Sequence, residues 1–137
     1  MAAVIPHGML KPLRHPKWWL GLWWLAIAVV IAVCLAPSSS LPPLPRNSDK
    51  LQHLLGYFLL AASAVQIFRR ERGLWIVALA LVMMGIGIEF AQGAFTDTRA
   101  RDPLDAVANT IGVLLGMAVT FSPWRDLLQR LELRFFP

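Results

Sequence analysis

Long apolar blocks alternate with short polar breaks along this chain. The first block runs Trp18–Ala36 and stops at Pro37 and the Ser38-Ser39-Ser40 run. The second covers about 51–68 and is closed by Arg69-Arg70-Glu71-Arg72. The third covers about 74–95, and the fourth, about 104–121, ends at Ser122-Pro123. A helix rises about 1.5 Å per residue, so roughly 20 apolar residues cross a hydrocarbon core. The pattern therefore predicts an all-α membrane fold, a bundle of four transmembrane helices in a single domain over residues 1–137. Short connections make neighbouring helices antiparallel.

The breaks predict the remaining structure. Residues 37–48 contain Pro37, Pro42, Pro43 and Pro45 and are expected to run extended along the outer surface rather than as regular helix. After Pro123, a helix would gather Trp124, Leu127, Leu128, Leu131 and Phe135 on one face, as in an amphipathic helix lying in the membrane interface. Lys11, Arg14 and Lys17 precede the first block in the order of a signal peptide. That block is longer than an h-region of roughly 7–15 residues and opens with Trp18-Trp19, so it reads as an uncleaved first span. A lipoprotein reading of Cys34 fails at the branched Val33 before it.

Composition agrees: 57% of the 137 residues are hydrophobic and 15% charged, against near half apolar and about a quarter charged in a soluble domain. The six Trp suit membrane interfaces. A net charge of +5 could suggest nucleic acid, but the basic residues lie between apolar blocks and orient the helices instead. Nine of thirteen (Lys11, Arg14, Lys17, Arg69, Arg70, Arg72, Arg125, Arg130 and Arg134) fall on one side, with only Glu71, Asp126 and Glu132 against them. Both termini are thus expected in the cytoplasm, in a multi-pass protein of the inner membrane. The single cysteine permits no intrachain disulfide.

Three polar clusters interrupt the blocks on the opposite side. In helix two, Asp49, His53 and Tyr57 share a face, beside Lys50. Asp49 could orient or charge the imidazole, or serve only the helix N-terminus behind a Ser48 cap. In helix three, Gly85, Glu89, Gln92 and Gly93 form one stripe. Lipid exposure would cost a carboxylate at Glu89 about 2.5–3.5 kcal/mol or more, so it should face the bundle interior. In helix four, Asp102, Asp105, Asn109, Gly112 and Gly116 recur at three- and four-residue spacing. Asp102 before Pro103 is a helix cap, while Asn109 lies too deep for capping and needs a partner. Gly112 and Gly116 form a helix-packing face. In the loop between, Arg99 and Arg101 could clamp a phosphate or carboxylate, or neutralise Glu89 and Asp102.

Three motifs carry a family likeness: Asp49-Lys50-xx-His53 opening a span, Glu89-xx-Gln92 closing the next, and Arg101-Asp102-xx-Asp105-xxx-Asn109-Thr110-x-Gly112. Together, over about residues 49–120, they resemble the VanZ-like family of small bacterial membrane proteins. The resemblance implies a bacterial cell-envelope setting and a relation to resistance against the glycopeptide teicoplanin; it implies no molecular activity.

Two active functions fit these residues. One is binding or handling of an anionic lipid, such as a polyprenyl phosphate or other cell-wall precursor headgroup, with Lys50, His53, Arg99 and Arg101 holding the anion. The other is a membrane-embedded acid–base enzyme on an envelope lipid or glycan, with His53, Glu89 and Asp105 as catalytic candidates. A metal version would use His53, Asp102 and Asp105, but one histidine without a usable cysteine is a thin donor set for zinc, and neither metal nor cofactor is expected. A structural bundle, its polar groups capping and joining helices, is the third reading.

Overall fold

The computed structural model describes residues 8–43, 45, 48–97 and 101–137. Five α-helices occur among them: α1 Pro16–Leu35, α2 Ser48–Ile67, α3 Arg72–Phe95, α4 Pro103–Ala118 and α5 Leu127–Phe135. Proline at the first turn opens α1 and α4, where its missing N–H costs nothing. The helices start one to three residues before the apolar blocks do, most in α2, where polar Ser48-Asp49-Lys50 fill the first turn. The fourth block ends differently from expectation. Its α-helix stops at Ala118 and finishes as a 3-10 turn over Val119–Phe121. The proline-rich connection also contains one 3-10 turn, Ser38–Ser40, where the Ser40 N–H and hydroxyl both donate to the Pro37 carbonyl.

Three segments are long and apolar enough to cross a membrane: α1, α3 and the stretch Pro103–Phe121. Their outward faces are greasy, with Leu25, Val29, Ile76, Leu79, Met83, Val107, Ile111 and Leu114 all exposed. Meanwhile His53, Glu89, Gln92, Asp105 and Asn109 are buried. Apolar exposure on that scale cannot be left to water, so the bundle is built for an apolar surrounding.

Helix α2 lies centrally and touches α1, α3, α4 and α5. Its broadest contact is with α4, alongside which it runs parallel: Leu54 faces Gly112, and Ala61 and Ala62 face Gly116. A methyl group on Gly112 would overlap the Leu54 carbonyl oxygen, and one on Gly116 would lie 2.7 Å from the Phe58 carbonyl oxygen. Both glycines therefore bring backbone against backbone. Helix α1 leans on this pair, with only Trp23 and Ile27 buried. The Trp23 indole donates to the Leu60 carbonyl at 3.0 Å and packs edge-on to Phe68.

At the end of the bundle away from the polar clusters, residues 9–11 pair with the α2–α3 turn. Arg69 N–H donates to Met9 and Lys11 N–H to Ile67, both at 2.8 Å. Here α5 is docked more firmly than an interfacial helix requires. Gln66 of α2 donates to the Trp124 carbonyl and accepts from the Leu128 N–H. Glu132, expected merely as a charge on this side, is 2% exposed and accepts from the Arg14 and His15 N–H groups and the Trp19 indole.

Two outcomes follow from this packing. Replacing Gly116 by Val must push α4 off α2, and overpacking of this kind costs about 1–3 kcal/mol. Thermal unfolding in detergent should register the loss, whereas Gly87→Val, where nothing lies within 4 Å, should be near neutral. The second concerns pH. Burial pushes the Glu132 carboxyl up, but the hydrogen bonds from Trp19, Arg14 and His15 outweigh it and hold the group below its ordinary 4.5. Its stabilisation is therefore full above that value and lost as pH falls through the lower folded value. Unfolding temperature should fall on acidification below 4.5, and Glu132→Gln should flatten that limb.

Candidate functional site

The three polar clusters meet at the bundle end where α1 and α3 finish and α2 and α4 begin. Four helices contribute because the α2–α4 glycine contact sets the level of each turn. With Leu54 against Gly112, the preceding turns bring His53 beside Asn109 and Lys50 beside Asp102 and Asp105.

His53, 6% exposed, is the hub. Its Nδ1 lies 3.0 Å from Asn109 Oδ1. A carbonyl oxygen only accepts, so Nδ1 carries the hydrogen and Nε2 faces the other way. There it meets two carboxylates, Asp105 Oδ2 at 3.7 Å and Asp49 Oδ1 at 3.8 Å. Both distances exceed hydrogen-bond reach. Asp105 is buried, whereas the Asp49 side chain is 62% exposed. Asn109 is wedged against Gly85 of α3, where a methyl group would lie 3.1 Å from its side chain.

Lys50 supplies the local positive charge. Its ammonium donates to Asp102 Oδ2 at 2.7 Å and lies 3.5 Å from Asp105 Oδ1. Asp102 is also the cap of α4, its Oδ1 accepting from the Leu104 N–H at 2.9 Å. The Lys50 hydrogen bond, followed by that backbone donor, holds the Asp102 carboxyl below its usual range. Asp102 thus caps and pairs at once. Glu89 Oε2 accepts from the Asp102 N–H at 3.2 Å, which joins the end of α3 to the start of α4. Gln92 donates to the Cys34 carbonyl at 2.7 Å and so ties α3 to the end of α1.

Arg101 sits apart from this network. Arg101 lies over the Phe90 ring, 4.0 Å from its centroid, and is exposed. Arg99 lies outside the described residues. Lys50, rather than Arg101, meets Asp102. Ser48 donates its hydroxyl to the Pro45 carbonyl.

A cavity of about 200 Å³ opens between α1 and α2. Val29, Val30 and Val33 form an apolar wall; Asp49, Gln52, His53 and Tyr57 form a polar one. Tyr57 is 1% exposed and its hydroxyl has no hydrogen-bond partner. Glu89 Oε1, Asp105 Oδ1 and Asn109 Nδ2, deeper in the bundle, are likewise without one. His53 therefore stands between the cavity and a buried layer of Asp105, Asn109 and Glu89. Sequence reasoning found these side chains but not the cavity, whose valine wall reads as ordinary span. No sequence signal marks Val29, Val30 and Val33 off from the other apolar residues of α1.

Replacing Asn109 by Leu would leave the buried His53 Nδ1–H without an acceptor, at about 1–3 kcal/mol. Unfolding in detergent should show that loss. Asn109→Asp, which keeps an acceptor oxygen, should recover most of it.

No protein-family model, no curated protein and no solved structure matches this chain.

Proposed function

We propose that this is a four-span, VanZ-like protein of a bacterial inner membrane, both termini cytoplasmic, that receives the head of an anionic envelope lipid or cell-wall precursor at the outward end of its bundle. The charge asymmetry supports this orientation, and the motifs from Asp49 to Gly112 support the family and its link to glycopeptide resistance. Helix α2 serves as the fourth span. Its 20 residues equal α1 in length, and His53 and Tyr57 within it are buried.

The carrying observation is the two-faced cavity between α1 and α2. Val29 and Val33 are 52% and 46% exposed, so its apolar wall continues into the lipid-facing surface of α1. An acyl or prenyl chain can follow that wall while its head meets Tyr57, His53 and Gln52. At about 200 Å³ the cavity is smaller than the roughly 300–1,000 Å³ of a drug-sized site. It takes one small group such as a phosphate, and any larger sugar or peptide portion would extend into water. The unpartnered Tyr57 hydroxyl is a donor awaiting an acceptor.

An acid–base enzyme on the same lipids is the second reading, favoured by one feature. Asn109 fixes the His53 ring so that Nε2 is presented as a base.

Native mass spectrometry of protein released from bacterial membranes tests the binding. One anionic lipid, a polyprenyl phosphate or phospholipid, should stay bound. Tyr57→Phe should weaken its retention about tenfold, the scale of one hydrogen bond. Indiscriminate exchange of all phospholipids, with no anionic species retained, would overturn the proposal. Loss of turnover with lipid retained in His53→Ala would move the assignment to the enzyme.

A further inference from the structure

The outward end of the bundle presents an electrostatic mismatch. Asp49, Glu89, Asp102 and Asp105 converge there, while Lys50 is engaged by Asp102 and Asp105, and Arg101 rests on Phe90. Among the described residues, an anionic head entering the cavity would face carboxylates with little positive charge free to meet it.

The ring of His53 points to what lies between. Asn109 Oδ1 can only accept, so Nδ1 holds the hydrogen and Nε2 presents a lone pair. That lone pair faces oxygens of Asp49 and Asp105, and all three atoms lie within 4.8 Å of one another. Three electron-rich atoms turned toward a common point repel one another unless a cation sits among them. Separations of 3.7 and 3.8 Å are too long for direct hydrogen bonds and leave space between these atoms. Tetrahedral ligand atoms with bonds of about 2.0–2.1 Å stand about 3.3 Å apart, so the two edges from the imidazole to the carboxylates need to close by only about half an ångström. An imidazole whose far N–H is held by an oxygen acceptor is also the arrangement metal-binding histidines adopt.

A second observation is independent of these three side chains. Tyr57, 1% exposed and with a hydroxyl that has no hydrogen-bond partner, lines the same cavity as Asp49 and His53. Room and a spare donor thus lie beside the cluster on the side where a ligand oxygen would enter. The sequence alone suggested Asp102 as the companion of His53 and Asp105. The fold gives Asp102 to Lys50 and puts Asp49 in its place.

We propose that Asp49, His53 and Asp105 bind one divalent transition-metal ion, Zn²⁺ or Mn²⁺, and that the ion's remaining positions face the cavity, where it bridges the protein to a phosphate oxygen. Mixed imidazole and carboxylate donors suit these ions. The bridging role rests on the headgroup reading above; the metal site does not.

The test uses full-length protein in detergent, stripped with chelator and titrated with Zn²⁺ by calorimetry and with Mn²⁺ by electron paramagnetic resonance. Saturation near one ion per chain is expected, with weakening of at least tenfold in His53→Gln and Asp105→Asn. His15→Gln should leave binding unchanged. Pulsed resonance on Mn²⁺-loaded wild-type protein should reveal imidazole nitrogen coupling, a readout that depends on no variant being folded. Absence of saturable binding, or full binding in folded His53→Gln, would overturn the site. Anionic lipid retained equally with and without chelator would remove the bridging role. Metal bound without any retained lipid would leave the site standing and sink the headgroup reading.

Discussion

The architecture turns on the contact of α2 with α4 at Gly112 and Gly116. In a lipid surrounding there is no hydrophobic gain in bringing two apolar helices together, so close packing and polar contacts have to do it. Gly112 under the Leu54 carbonyl and Gly116 under Phe58 and Ala61 let the two backbones meet. They also fix the axial register. One turn toward the helix starts, that register puts Asn109 beside His53; a further turn along, it puts Asp105 and Asp102 beside Lys50. Moving α4 by a single turn of about 5.4 Å would separate every one of these pairs. Packing and polar chemistry are thus the same constraint seen at two depths.

That constraint gathers more negative than positive charge. Lys50 compensates Asp102 through a short hydrogen bond and Asp105 more distantly. Glu89 receives only a backbone N–H and keeps one oxygen unpartnered. A bundle built only for stability would gain by replacing such groups with apolar side chains, since buried charge is rarely net stabilising. Four unsatisfied atoms at one end, those of Tyr57, Glu89, Asp105 and Asn109, are hard to account for as helix glue.

Much of this was legible in the sequence, for identifiable reasons. The helices were, because apolar runs of bilayer length broken by proline and arginine leave few alternatives. The polar residues were, because a carboxylate such as Glu89 inside an apolar run is costly enough to stand out. Which acid meets His53 was not. Asp102 and Asp105 share one stripe of α4, and only the level set by the Gly112 contact decides that Asp105 reaches the imidazole while Asp102 reaches Lys50. Glu132 and Gln66 also escaped, since a polar residue near a helix end reads as solvated until a docked neighbour buries it. The Arg101–Phe90 stacking is a matter of loop conformation, which spacing does not encode.

The cavity itself follows from how α1 is held. Two of the hydrogen bonds of this helix pin it on either side of the cavity: Trp23 to the Leu60 carbonyl in its first half, and the Cys34 carbonyl to Gln92 at its end. Between those pins, Val29, Val30 and Val33 stand off α2 opposite His53 and Tyr57, and the gap is the cavity. Small, branched valines cannot reach across it. The second pin is made by Gln92, one turn beyond Glu89 on α3. The same helix end that joins α4 through Glu89 therefore also sets the width of the gap through α1. Glu89 and Gln92, read from the sequence as one polar cluster, then divide between two tasks: one closes the bundle behind His53, and the other holds open the space in front of it.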